Sequence, residues 1–323
     1  MKHTSHTLKL MLILCGLTSA AFADSDEKEK SDDKENSAAA LAAAKETSGN
    51  DLKAAFAALE MIKASEDKAS NPFKLSAAAL IQPLGIDSSA KEFRTSVLPN
   101  IQSLLNERLG EWTKIDDGSM RLDPSKLKLA TDSDVRVYFL GEGAGYANSL
   151  GLNTEGVGVK EGRPELIFAN ASSNVTYLDP KSTENENSAK RSSNAPLLPG
   201  DFVELNTLKA GTALDFFLIA DGANGGKNVY STTGTANPDK INHVVAFAMS
   251  NSPYLIIGFE DLFGGGDRDF NDLLFAVEIG AANVASLIAT PEPAAWLSLA
   301  GLLGMVFWSN SRRRSGMHAP LAA

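Results

Sequence analysis

The spacing of apolar positions changes near residue 130, and the change divides the chain. Between Asp51 and Lys63, Leu52, Ala55, Phe56, Leu59 and Ile62 recur at helical spacing, with Asn50 or Asp51 as N-cap. Ile101, Leu104, Leu105, Leu109 and Trp112 repeat the pattern from about Leu98 to Trp112, with Pro99 in the first turn. Both stripes read as core faces, and neither groups catalytic side chains. From Asp132 the period becomes two. Val135 to Leu140, Glu165 to Phe168, Phe202 to Leu208, Leu214 to Ala220, Val244 to Met249, Tyr254 to Phe259 and Leu273 to Ile279 read as strands. Such runs with turns between them predict a mainly β fold: an antiparallel β-sandwich or jelly roll over 131–280, preceded by a small α-helical region over 51–130. Ser172 to Ala195, rich in Ser, Asn and charge, reads as a surface loop.

The ends of the chain carry a different pattern. Met1 to Ala23 has a short basic start (Lys2, Lys9), an apolar run from Leu8 to Leu17, and Ala21-Phe22-Ala23. Those are the parts of a secretory signal cut before Asp24, which implies export through the Sec translocon. Residues 24–50 are charged, then Ala-rich, and read as a disordered linker. Residues 281–290 read as a second linker. Pro291-Glu292-Pro293 then precedes an apolar run, Ala294 to Trp308, and Arg312-Arg313-Arg314, with 315–323 as a tail. The run predicts a single C-terminal hydrophobic helix of about 15 residues, short of the roughly 20 that span a bilayer comfortably. The arginines would hold its far end in the cytoplasm.

Composition removes several kinds of chemistry. A net charge of −10 argues against a nucleic-acid binder, which needs a basic face. Cys15, the one cysteine, lies in the signal, so the mature chain would have no disulfide, thiolate nucleophile or cysteine metal site. His3 and His6 fall in the leader and His318 in the tail, which leaves the body only His243. Zinc sites and most histidine acid–base chemistry are thereby disfavoured. His243 reads as a buried or turn-bonding histidine, with Asp239 four residues before it able to orient it. The glycine-rich Gly141 to Gly151 follows a strand, but Asn148 stands where a dinucleotide motif needs glycine and no helix pattern opens there. Tight β turns explain those glycines better.

The stretch richest in chemistry joins the last two strand candidates. Glu260, Asp261, Asp267, Asp269 and Asp272, with Asn271, lie around Gly264-Gly265-Gly266. Five carboxylates so close repel one another, and a hard cation would hold them together; Ca2+ takes six to eight oxygens, whereas magnesium keeps more of its waters. The glycines would let the chain double back so that Glu260 or Asp261 reaches the ion bound by Asp267, Asp269 and Asn271. An EF-hand is excluded: counted from Asp267, Glu278 falls twelfth, but the sixth position is Asp272 instead of glycine, and Leu273 onward reads as strand. Turn chemistry without metal, pairing the acids with Arg268 and backbone amides, is the simpler competitor. Catalysis fits less well, because contiguous acids on one loop do not face each other across a cleft as glycosidase carboxylates do.

Two resemblances add to this reading. Pro291-Glu292-Pro293, the apolar run and Arg312-Arg313-Arg314 resemble the PEP-CTERM sorting signal of Gram-negative bacteria, although Ser315 to Ala323 extends beyond the usual stop. That resemblance implies a precursor held transiently in the inner membrane until an exosortase processes it, bound for the cell surface or exopolysaccharide matrix. The body from about Asp134, most strongly Leu198 to Gly280, resembles domain-of-unknown-function family 4114. The matching pieces are Gly141 to Tyr146, Asn148 to Gly151, Pro199-Gly200-Asp201, Asn237-Pro238-Asp239 with His243, Gly258 to Asp261, and Gly265 to Asp272. The family resemblance implies a β-rich domain of exported proteins without an assigned enzymatic activity. The expectation is therefore an exported, non-catalytic surface or matrix protein that binds surface glycan or exopolysaccharide, with an exported polysaccharide hydrolase as the competing class.

Overall fold

Uninterrupted apolar runs such as Tyr254-Leu255-Ile256-Ile257 require cover on both faces of a strand. In the computed structural model, which describes residues 49–83, 86–105, 120–176, 191–249 and 251–289, both faces are covered. The signal, most of the charged linker and the sorting tail lie outside those residues, as does the second helix beyond residue 105. The described residues from Asn50 onward form one compact unit.

The elements in order are α1 (Gly49–Lys68), β1 (Ser76–Ala77), β2 (Ile81–Gln82) and α2 (Ser88–Glu92). α2 runs through a π-helical turn, Phe93–Val97, into α3 (Leu98–Leu104). Then follow β3 (Met120–Leu122), β4 (Ser133–Gly141), β5 (Ser149–Asn153), β6 (Pro164–Phe168), β7 (Phe202–Leu208) and β8 (Asp215–Ile219). The last elements are β9 (Val229–Ser231), β10 (Val244–Ala248), β11 (Tyr254–Phe259), β12 (Leu273–Glu278) and α4 (Ala281–Ala289). One sheet has the order β1-β6-β5-β8-β9, the other β2-β7-β4-β12-β11-β10-β3. The β1–β6 pair is parallel, and the other strand pairs are antiparallel.

Strand alternation sorts the core into two layers. Leu273, Phe275 and Val277 of β12 enter the space between the sheets, where they join Val137 and Phe139 of β4 and Phe216 and Leu218 of β8. Phe216 and Phe275 meet across that space with ring centroids 5.1 Å apart. Leu274 and Ala276 of the same strand face outward, into a layer with Tyr138, Phe202, Ile256 and the helix residues Ala90, Phe93, Leu98 and Ile101. There the Phe93 and Tyr138 rings stack nearly parallel, with centroids 3.8 Å apart. The helices α2 and α3 thus cover the outer face of the larger sheet.

The fold is mainly β, two packed sheets with a few helices, and differs from the sequence expectation in several details. β5 falls inside the stretch read as glycine turns. Gly151 belongs there because a Cβ would come within 2.2 Å of the Phe217 ring on β8. Residues 51–130 are not only helical: β1, β2 and β3 from that stretch pair with β6, β7 and β10. From Ala55 onward the buried residues of α1 are Ala58, Ile62 and Ser65, while Phe56 of the expected stripe faces solvent. Residues 281–289, read as linker, form α4. Its buried Asn283 accepts the N–H groups of Ala130 (2.8 Å) and Thr131 (2.9 Å) and donates to the Ile279 carbonyl (2.7 Å), which anchors the helix to the sandwich. Within the polar stretch 172–195, Arg191 is buried and forms a bidentate pair with buried Asp201, one arm at 2.8 Å.

Candidate metal centre

β11 and β12 pair from Tyr254↔Glu278 to Phe259↔Leu273, so residues 260–272 leave and re-enter the sheet at adjacent points. The loop folds back tightly. Gly264, Gly265 and Gly266 all have positive φ (85°, 84° and 48°), and the Gly265 N–H donates to the Leu262 carbonyl at 2.9 Å. The returning arm is fastened by the Phe270 N–H, which donates to Glu260 Oε1 at 2.7 Å, while the Phe270 ring is buried. Glu260, Asp267 and Asp269 each then offer a carboxylate oxygen, and the three oxygens lie within 4.8 Å of one another. Oxygens bound to one calcium at 2.3–2.6 Å stand at most about 5 Å apart, so the spacing suits that ion. Glu260 is buried, Asp269 half-buried and Asp267 exposed, which leaves the group open to solvent on one side.

Electrostatics mark the same place. Burial, followed by the charges of Asp269 and Asp267, pushes the Glu260 carboxyl up to about 7, against the lowering effect of the Phe270 N–H. A bound cation would reverse that shift by stabilising the ionised form. At Gly266, whose φ is positive, a Cβ would lie 2.4 Å from Glu260 Oε2 and displace that carboxylate oxygen.

Asp261 and Asp272 lie outside that group of three. Asp261 is buried, and its N–H donates to Asp272 Oδ2 at 2.9 Å. Asn148 Nδ2 donates to Asp261 Oδ2 at 2.8 Å, and Asn148 Oδ1 accepts the Asp221 N–H at 3.0 Å. Burial and then the Asp261 charge push Asp272 up to about 8; burial also raises Asp261, with the Asp221 charge adding to it. Asn271 adjoins the cation group: its Nδ2 donates to Asp269 Oδ2 at 2.5 Å, and its carbonyl accepts the Gly143 N–H at 2.9 Å. Glu278 lies at the far end of β12, where it accepts from the Tyr138 hydroxyl at 3.2 Å.

His243 orients the loop from behind. It meets the Glu260 carbonyl through Nδ1 (3.2 Å) and Asp239 Oδ2 through Nε2 (2.8 Å), and its ring stacks on Tyr230 at 3.8 Å. Asp239 Oδ2 also accepts the Gly264 N–H at 2.8 Å, so one carboxylate ties histidine and loop tip together. Asn148 and Asp221 were not among the expected site residues. Their only sequence signal was oxygen donors inside two glycine-rich turns, and three loops distant in sequence meet through them.

The architecture and site define a two-sheet β protein with an acidic group on the hairpin loop at one end of its larger sheet. Residues 208–280 are a DUF4114 domain, by match to the model described as "Domain of unknown function (DUF4114)". That match is narrower than the stretch whose resemblance was read from Asp134 onward. It holds β8 to β12 and the whole acidic loop, but β4, β5 and Asn148, to which they bind, lie before it. Comparison with curated proteins and with solved structures finds no match. The PEP-CTERM-like residues Pro291, Glu292, Pro293, Arg312, Arg313 and Arg314, and the cleavage residues Ala21 and Ala23, lie outside the described residues. No helix among the described residues is long and apolar enough to cross a membrane.

Proposed function

We propose that this is an exported, non-catalytic protein of the cell surface or exopolysaccharide matrix, stabilised by calcium at Glu260, Asp267 and Asp269. The observation that carries the calcium part is the convergence of those three carboxylates within 4.8 Å on a loop whose glycines and Phe270 bond impose the shape. Export rests on the signal-like start and the PEP-CTERM-like end, which name the Sec translocon, the inner membrane and an exosortase as transient partners. Carboxylates this close suit one ion better than hydrolysis, since glycosidase pairs stand about 5 to 10 Å apart across a cleft. A cavity of about 390 Å³, walled by Phe73, Val159, Val229, Lys160, Lys227 and Lys240, offers apolar walls and ammonium donors to a surface glycan. Thermal melting in calcium and in chelator tests the metal: the ion raises the melting temperature, and equal melting overturns the reading.

A further inference from the structure

Strand alternation turns Phe217 and Ile219 of β8 to the outer face of the smaller sheet, away from Phe216 and Leu218. Phe73, Val159 and Val229 pack over that pair and stay half-buried, forming the apolar wall of the 390 Å³ cavity. The charge of its lining has one sign. Lys160, Lys227 and Lys240 contribute to it, and among the described residues no aspartate or glutamate does. In a chain of net charge −10, three cations gathered around one cavity are a local reversal. Lys240 Nζ donates to the Thr235 carbonyl at 2.9 Å. Lys160 and Lys227 are exposed, and among the described residues neither ammonium group has a hydrogen-bond or ion-pair partner.

Buried polar groups set the spacing of the walls. Asp215 of β8 accepts the Gly158 N–H through Oδ2 (2.7 Å) and the Ser231 and Thr232 hydroxyls through Oδ1 (2.7 Å each). One carboxylate thereby ties the 157–160 wall to β9. Buried Asn153 braces the same wall, donating to the Gly158 carbonyl at 2.9 Å. Buried Asn237 joins β9 to the 236–240 wall: its Oδ1 accepts the Ser231 N–H (2.7 Å) and its Nδ2 donates to the Ile241 carbonyl (2.8 Å). A cavity held in this way needs little ordering when a ligand enters.

We propose that this cavity binds an acidic pyranose, a uronate unit of a polysaccharide, with its carboxylate on Lys160 and Lys227 and its apolar ring face on Phe73, Val159 and Val229. The proposal rests on the glycan-binding reading above and names the class of glycan. A neutral sugar would leave the two ammonium groups unused, and a bare inorganic anion would leave the apolar wall uncovered. A uronate ring carries both features on one small body, and the volume falls within the roughly 300–1,000 Å³ of small-ligand sites. An acidic peptide would instead extend the sheet at its edge strand β9. Asn237 already occupies the Ser231 N–H on that edge, so the backbone bonds such a peptide needs are blocked.

Calorimetric titration of the full chain with trisaccharides of galacturonate, mannuronate and glucuronate tests this. Chelator is present throughout, so that no cation bridges the sugar to the acidic loop. At least one trisaccharide should bind, and its methyl ester, which keeps the rings and loses the charge, should bind on the order of 10-fold more weakly. Lys160→Met combined with Lys227→Met should weaken the acid form on the order of 10-fold and leave the ester unchanged. Phe73→Ser should weaken both forms. Lys209→Met, at an ammonium paired with Asp132 outside this lining, should change neither. Wild-type melting of each variant shows that the fold persists, and the comparison of acid with ester needs no variant. Binding untouched by the double variant, an equal loss in Lys209→Met, or a triglutamate peptide bound as tightly as the trisaccharide overturns the proposal. An ester bound as tightly as the acid, and lost in Phe73→Ser, overturns the acidic ligand and keeps the glycan reading. No binding of any saccharide overturns both.

Discussion

Glu260 accepts the backbone N–H of Phe270 at 2.7 Å, and this bond joins the outgoing and returning arms of the acidic loop. It places a buried carboxylate beside Asp267 and Asp269, so that the loop's shape and its charge problem have one origin. The fold holds three like charges together, and relief comes from a proton or from a cation.

Proton and cation can be told apart by pH. Burial, then the charges of Asp269 and Asp267, lift Glu260 from 4.5 to about 7, so the folded state keeps a proton that the unfolded chain has released. Its contribution to stability is complete below pH 4.5 and is lost as pH rises through about 7. Asp272, lifted from 3.8 to about 8 by burial and then by Asp261, extends the window upward. In chelator the melting temperature should therefore fall between pH 4.5 and 8, less steeply in Glu260→Gln. Calcium should oppose the fall, because it binds the ionised carboxylates. Identical slopes for wild type and Glu260→Gln in chelator would contradict this account.

Gly266→Ala should separate ion binding from folding. The added methyl falls 2.4 Å from Glu260 Oε2, and the residue's φ of 48° is strained for alanine. We expect a stability loss of about 1 kcal/mol in chelator from the backbone alone. Calcium affinity should fall about tenfold or more, since the displaced oxygen is one of three. Calorimetric titration finding wild-type affinity would place the ion elsewhere.

Arg191→Met should destabilise the protein by about 3–5 kcal/mol, because buried Asp201 loses its bidentate partner. A urea midpoint near wild type would show that Asp201 is otherwise satisfied. The effect should be independent of calcium, which distinguishes it from changes in the acidic loop.

Processing at Pro291-Glu292-Pro293 should leave a mature C-terminus near Pro291. Intact-mass measurement of protein recovered from the cell surface checks it. A surface form that still contains Arg314 means an uncut anchor.

Much of this was legible along the chain, and the reasons are local. Val135 to Leu140, Phe202 to Leu208 and Tyr254 to Phe259 announce strands because a two-residue period and continuous apolar runs follow directly from which faces are buried. The acidic loop is legible for the same kind of reason: Glu260, the glycines, Asp267 and Asp269 are close in sequence, and three positive-φ glycines let the loop double back on itself. What only the tertiary structure decided depends on partners far away in sequence. Asp261 is drawn to Asn148, more than a hundred residues earlier, and Asp272 follows it, which divides one acidic run between two environments. Phe217 makes Gly151 a strand glycine, Asp201 makes Arg191 a core residue, and the cover from α2 and α3 explains apolar side chains on both faces of β12. Periodicity reports how each residue meets its own neighbours, whereas long-range packing sets which distant groups share a dielectric and a charge.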